Sequence, residues 1–564
     1  MGLAMKISVV CASFFSALLV TTAAMATSPI VTSNTLKDEY TGLEQREYVP
    51  FVASDTIGAA RQANGPVGGY VMQSFQGISQ YDVATYARNF IPPDTMGAVG
   101  TTQYAEFVNG GFAVYNKVGA VLKATSDVAF WQAAGQSSAN GDTRVLFDKP
   151  SGRWVALSFG ASVSDIQIAV SNNSNAGGAW KSTIFTGFAG GTADYPTLAI
   201  DKHAVYIGTN NFNGNGSFGG TTLNVIPLSS LINASAPTTA GLKQFVTPYD
   251  AVNGGADGGF AIQGVNSSSA STTGHVITAS LFYNDVVRYD ITNAGTAGAA
   301  KVNAVYINAQ NYDQSGAARQ PNQVPDANPN GTFSSNDRVI DTLDQRIGSS
   351  AYEVNGRIYA VYTVTPIGTD HTVVRYDVVD AATNAILDEG AIGDGKHDFW
   401  EGSLNVNSLG QVVIAYNRSG SDPTDGKVSI LARVFNTGAN GKLTQLGAET
   451  LLKVSAVDDY HNGTVDGQVA DGRQRWGDYS SVTLDPTNPH KFWVIGEYAR
   501  EYNDAAGGHP GGSGRSRWST WISELNIGTA VPEPSSWMMM IAGFGLVGAA
   551  RRRQARSRIA TTTA

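Results

Sequence analysis

Seven times along the chain, a short apolar strand is followed by a polar or glycine-bearing turn and a second strand rich in β-branched and aromatic residues. The pairs are Thr95–Val99 with Tyr104–Val108, Arg144–Asp148 with Trp154–Phe159, Pro196–Asp201 with Ala204–Gly208, and Phe260–Val265 with His275–Ala279. Three more follow: Ser350–Val354 with Arg357–Tyr362, Gly402–Val406 with Gln411–Tyr416, and Tyr479–Leu484 with Lys491–Ile495. Apolar runs of this length, bounded by turn residues, read as paired strands. Seven units between Asp94 and Leu525 give a spacing of roughly 60 residues, somewhat above the 40–50 of blade repeats. That leaves room for two more strands per unit, and Phe112–Tyr115, Ala120–Leu122 and Asp285–Tyr289 carry the corresponding hairpin signals. A small sheet cannot bury both its faces alone, so repeated sheets stack on one another. The pattern predicts an all-β fold, a seven-bladed β-propeller over residues 91–527. A β-sandwich with appended modules is the alternative, and it would not need so even a recurrence.

Two regions fall outside the repeat. Residues 27–90 have few periodic runs and read as an extended leader able to lend a ring-closing strand. Residues 307–345, with Asn311, Gln314, Pro321, Asn322, Pro325, Asn328 and Pro329, read as an inserted loop. Composition agrees with turn-rich β-structure: 64 glycines, 23 tyrosines and 22 phenylalanines stand against only 15% charged residues. The net charge of -9 disfavours nucleic acid and anionic lipid as partners of the body.

Both termini read as addresses. Lys6 precedes an apolar run from Ile7 to Val20, and Ala24-Met25-Ala26 offers small residues for cleavage between Ala26 and Thr27. Residues 1–26 therefore read as a signal peptide, removed by signal peptidase. The sole cysteine, Cys11, lies within it, so the mature chain has no disulfide. A domain this large buries enough apolar surface to fold without one. At the other end, Pro532 and Pro534 precede an apolar run from Trp537 to Ala550, followed by Arg551, Arg552 and Arg553. As a short hydrophobic helix, residues 537–550 would be about 21 Å long against a hydrocarbon core of about 30 Å, a marginal span. The arginines would stay cytoplasmic and leave the body outside. A buried core helix fits poorly, because no polar stripe interrupts the run.

Pro532-Glu533-Pro534, Trp537, the Ile541–Gly548 run and Arg551–Arg553 together resemble the PEP-CTERM sorting signal of Gram-negative bacteria, with Met538 where alanine is usual. The resemblance implies that residues 528–564 are a routing label, contacting the membrane through 537–550 and cut near Pro532–Pro534 by an exosortase-like membrane protease. It places the body in the cell envelope, at the surface or in the extracellular matrix, and implies nothing about activity.

Ser171-Asn172-Asn173-Ser174-Asn175-Ala176-Gly177-Gly178-Ala179-Trp180 resembles a degenerate Asp-box of sialidase-like propellers, with Asn175 where aspartate is usual. In that family the turn is structural, and the family's catalytic set has no residue-by-residue match here. Candidate chemistry lies instead in the acids near the first strand of six units: Asp94, Asp142, Asp194, Asp344, Glu401 and Asp478. If those strands line a central channel, the carboxylates ring its mouth, where they would suit Ca²⁺ or a pair-based glycoside hydrolysis. Equally, an aspartate beside a strand accepts backbone hydrogen bonds from its own turn or the next blade. Trp400 beside Glu401 and Trp476 near Asp478 put aromatic faces next to acids, an arrangement that suits sugar rings and equally inter-blade packing. His397, with Asp394 and Asp398, lacks a second histidine at zinc spacing. No HExxH, GxSxG, P-loop or EF-hand is present, and Asp422–Gly426 is turn chemistry. Two functions remain: a non-catalytic propeller that binds extracellular polysaccharide or a surface protein, and a propeller glycoside hydrolase or lyase using the mouth acids.

Overall fold

The protein is represented by a computed structural model that describes residues 68–88, 90–246, 259–279, 285–309, 312–321, 338–462, 473–502 and 516–527. The expected signal peptide, most of the leader and the sorting segment 528–564 lie outside the described residues. Among the described residues, no helix is long and apolar enough to cross a membrane.

Seven antiparallel sheets follow one another in chain order. Blade 1 is Met96–Val99, Gln103–Val108, Gly111–Asn116 and Val121–Ser126; blade 2 is Arg144–Asp148, Arg153–Phe159, Asp165–Ser171 and Trp180–Thr186. In blade 3 the inner strand is split into Gly191–Asp194 and Ala199–Ile200, both paired to Ala204–Asn213, with Phe218–Pro227 and Lys243–Val246 outside it. The sequence suggests a strand over Pro196–Asp201, of which Ala199–Ile200 is paired, with a further segment Gly191–Asp194 before it. Tyr195 separates the two segments with a left-handed φ of 51°, and Pro196 has no N–H to donate to the ladder.

Blade 4 is Gln263–Ser267, Gly274–Ala279, Asp285–Thr292 and Lys301–Asn308; blade 5 is Ala351–Val354, Arg357–Val364, Val373–Asp380 and Ile386–Ile392. Their inner strands pair in parallel, Val265 opposite Ala351, so the two sheets run together. Blade 6 is Asp398–Val406, Gln411–Ser419, Ser429–Thr437 and Leu443–Val454. Blade 7 is Ser481–Leu484, Lys491–Tyr502 and Ser516–Asn526, completed on its outer edge by the N-terminal strand Tyr70–Ser79. Pairing of Tyr70–Ser79 with Ser516–Asn526 ties the N-terminal strand to the last blade.

Adjacent blades are tied near their inner strands by polar contacts all the way round. The Thr143 hydroxyl donates to the Phe107 carbonyl, Arg144 Nε to Pro196, the Thr197 hydroxyl to Ile262, and Asn266 Nδ2 to Ala351. Glu401 N donates to the Thr363 hydroxyl, Asn405 Nδ2 to the Val482 carbonyl, and the Ser481 hydroxyl to Gly97, which returns the chain to blade 1. These contacts, with the seven sheets, define a seven-bladed β-propeller. Local turn chemistry fits as well. Asn355-Gly356, with φ of 54° and 73°, forms a two-residue hairpin between Val354 and Arg357, the pairing that matches strand twist.

The Asp-box-like turn is a packing device. Trp180 Nε1 donates to Ala176 O at 2.8 Å, Asn175 Oδ1 accepts from Gly177 N, and Trp180 packs edge-on to Phe130, 5.1 Å away between ring centres. Phe130 belongs to the helix Asp127–Ala134, capped by the Ser126 side chain. The inserted region 307–345 is not wholly irregular: Ala317–Ala318 pairs with Ile340–Asp341, while Asn311, Asn322, Pro325, Asn328 and Pro329 lie outside the described residues.

Candidate functional site

The six sequence-selected acids gather at the start of the inner strands, where the backbone turns sharply into each blade. Asp94, Asp142 and Glu401 themselves hold left-handed φ values of 49°, 52° and 53°, and Tyr195, Ala261 and Leu343 repeat the kink ahead of blades 3, 4 and 5. Non-glycine residues hold this conformation only where the surroundings over-determine it.

Three of these carboxylates are occupied within the fold, two of them, Asp94 and Asp142, between blades. Asp94 accepts from Asn109 Nδ2 at 2.7 Å and from the Asp478 backbone N–H at 3.3 Å; Asn109 Oδ1 in turn accepts from Asp142 N. Asp142 accepts from Tyr195 N at 3.1 Å and from the Tyr479 hydroxyl at 3.2 Å. Asp344 is held bidentately by Arg346, Nε and Nη2 each at 2.8 Å.

Across the middle, Tyr195 and Tyr479 pack edge-to-face at 4.8 Å, the Arg144 guanidinium lies 3.4 Å over the Tyr479 ring, and Arg346 sits between Tyr195 and Phe260. The mouth is thus plugged by two tyrosines and two arginines.

Crowding sets the protonation chemistry. Desolvation, reinforced by Asp478, pushes Asp94 well up; desolvation with Asp194, Asp94 and Asp478 does the same to Asp142. Asp194 is raised to about 6 by desolvation and Asp478, with Arg346 and Arg475 opposing. Asp478 is raised by desolvation despite Arg475 and Arg346. Glu401 is pushed well above the carboxylate range by desolvation and then by Asp478.

One cleft opens among these groups. It is narrow, with a cavity volume of about 20 Å³, and Asp344, Arg346, Thr363, Glu401, Asp478 and Ser480 line it together with Gly477. The structure brings Asp344, Glu401 and Asp478 to this one cleft. Asp94, Asp142 and Asp194 stand beside it in the blade junctions.

Trp400 and Trp476 are each 1% exposed and pack against one another at 6.2 Å, so neither presents a free face to a sugar ring. No three His, Cys, Asp or Glu side chains among the described residues are grouped so as to hold a metal ion. His397 donates to or accepts from Asp394 at 2.6 Å, whereas Asp398 turns to Arg319 and His371.

Four contributors escape the sequence reading: Arg144, Arg346, Arg475 and Glu497. Glu497 is wholly buried in the second strand of blade 7, and the signal that could have found it is a lone acid inside the apolar run Phe492–Tyr498. Burial pushes its carboxyl well up, aided by Glu401 and Asp94.

Residues 530–554 match the PEP-CTERM protein-sorting motif. That motif implies export, sorting to the envelope or surface of a Gram-negative bacterium and processing by exosortase, a membrane protease. The class is therefore an exported β-propeller with a C-terminal sorting signal. No curated protein matches the chain. Similar solved structures include a thermostable family-43 glycoside hydrolase (12% identity, 55% of this chain and 93% of that one, TM-score 0.29). Also similar are Drosophila Semaphorin 1b, extracellular domains 1–2 (9%, 82% and 87%, 0.31), and a subtype N10 neuraminidase-like protein of A/little yellow-shouldered bat/Guatemala (7%, 68% and 100%, 0.30).

Proposed function

We propose that this protein is a surface-sorted propeller that binds a glycan or protein of the envelope or extracellular matrix without turning it over. The observation that carries the reading is the employment of the mouth acids: Asp94, Asp142 and Asp344 are each consumed by contacts that hold blades or an arginine in place. Binding then falls to the cleft lined by Arg346, Thr363, Glu401 and Asp478, whose mixture of donors and acceptors suits a hydroxyl-rich ligand.

A second reading, a glycoside hydrolase or lyase, is favoured by one group. Glu401 lines the cleft with its carboxyl held protonated to higher pH, the property of a general acid. Incubating the exported protein with envelope polysaccharides separates the two. Retention on immobilised polysaccharide with no new reducing ends is the expected result; sugar release that disappears in Glu401→Gln and Asp478→Asn would replace binding with catalysis.

A further inference from the structure

Glu401, on the inner strand of blade 6, and Glu497, on the second strand of blade 7, meet at the junction of the two blades. A β-carbon at Gly477 would lie 3.0 Å from Glu401 Oε1 and 3.1 Å from Glu497 Oε2, so only glycine lets both carboxyls close on this point. All four carboxyl oxygens are shut off from solvent. Their hydrogen-bonding neighbours are an indole and a phenol, Trp476 for Glu401 and Tyr460 for Glu497, and neither carries a charge.

The cations near the pair are engaged elsewhere. In the segment before blade 5, Arg346 is held by Asp344 through Nε and Nη2. In the segment before blade 7, Arg475 acts on Asp94 and Asp478, while Asp478 itself opposes a charge on Glu401. Asp94, from the segment before blade 1, joins Glu401 in opposing a charge on Glu497. Burial, with these neighbours, holds both carboxyls well above the usual carboxylate range, so the packed pair is the protonated one. Buried acids without countercharge stay protonated, and ionise only when water reaches them.

On both sides of the pair the backbone is free of the regular ladder. Glu401 holds a left-handed φ of 53°, and the pairing of blade 6 loses register between Trp400 and Ser403, the stretch that contains Glu401 and Gly402. Opposite, Gly477 and Asp478 precede the first paired residue of blade 7, Ser481, and the Ser480 hydroxyl ties this segment to the Glu401 carbonyl at 2.9 Å. A charge on either glutamate therefore has short, unpaired stretches to displace, not a whole sheet.

We propose that Glu401 and Glu497 form a pH-operated latch on the junction of blades 6 and 7: protonated, they close over Gly477 and hold the cleft to about 20 Å³; ionised, they repel each other and Asp478 and open it. The latch needs no ligand, so it stands or falls apart from the glycan-binding reading above.

Hydrogen exchange read by mass spectrometry, with rates corrected for the intrinsic effect of pH, tests this on the exported protein from about pH 5 to about pH 9. Protection of residues 398–404 and 475–481 should fall at least about tenfold more than that of the remaining blade strands as pH rises. Glu401→Gln and Glu497→Gln each leave one partner without a charge, and each should abolish the local loss. Asp478→Asn keeps both glutamates and removes a charge that keeps Glu401 protonated, so it should move the midpoint of the loss to lower pH. That shift decides the matter if the glutamine variants fail to fold. No loss at the junction, a loss of equal size in all seven blades, or a local loss that keeps its size and midpoint in the variants overturns the latch. Glycan retention is measured separately, and none of these outcomes alters it.

Discussion

The Tyr195 hydroxyl donates a 2.8 Å hydrogen bond to the backbone carbonyl of Asp478, joining blade 3 to blade 7 across the centre of the ring. These blades are not neighbours, so this bond is one of the few restraints that span the channel instead of following the circumference. Tyr195 also packs edge-on against Tyr479, the residue after Asp478, which fixes both chain segments at once.

Tyr195→Phe keeps the ring packing and removes only that bond. The expected loss is about 1 kcal/mol of unfolding free energy, the usual net worth of a buried hydrogen bond. Denaturant melts of the exported protein measure it, and an unchanged midpoint would mean that the bond contributes nothing to closure.

Ring closure itself depends on a second buried acid. Glu106 in blade 1 accepts from Ile78 N of the N-terminal strand, from the Tyr115 hydroxyl at 2.7 Å and from the Thr520 hydroxyl of blade 7. A β-carbon at Gly77 would stand 2.2 Å from Thr520 Oγ1 and 2.6 Å from Glu106 Oε2. Gly77→Ala should therefore cost about 1–3 kcal/mol through overpacking, and limited proteolysis should show earlier cleavage of residues 70–79 than in the unmodified chain.

Stability should fall as pH rises through neutrality. Desolvation raises Glu106 to about 7 and Asp194 to about 6, above their values in an unfolded chain. A raised carboxyl contributes stability that is complete below its unfolded pKa, near 4, and is lost as pH climbs through the folded value. Asp485 has the opposite sign: its burial is outweighed by hydrogen bonds from Lys117 and Thr487, so its contribution disappears in acid. Melting temperature should peak near pH 4–5 and decline towards pH 8. Glu106→Gln should flatten the decline between pH 5 and 8; a slope identical to that of the unmodified protein would refute the assignment.

Replacing Pro532, Glu533 and Pro534 together by alanine should block sorting without disturbing the propeller, because the motif occupies residues 530–554, beyond the last blade strand at Asn526. Fractionation should find the variant held with the inner membrane. Normal release of the variant would show that processing reads another segment.

The blades were legible from sequence because strand pairs write their pattern locally: Arg357–Tyr362 is a short, almost wholly apolar run, and Asn355-Gly356 announces the turn before it. The acids were legible by repeat position, Asp194-Tyr195 and Asp478-Tyr479 marking equivalent strand starts. Their employment was not. Whether Asp142 faces a ligand or Tyr195 N depends on contacts between segments some fifty residues apart, and Trp400 and Trp476 look alike in sequence whether exposed or packed together.

By itself, then, the sequence determined the sorting signal at the C-terminus, the β class and the sevenfold count, since each rests on local pattern. Only the tertiary structure decided that Asp94 and Asp142 are spent between blades, that Tyr195 and Arg144 plug the channel, and that Glu401 meets Glu497 over Gly477. Those outcomes belong to ring closure, which sets side chains from distant blades in one low-dielectric space, where burial and mutual repulsion, absent from any local stretch of chain, fix which acids are free.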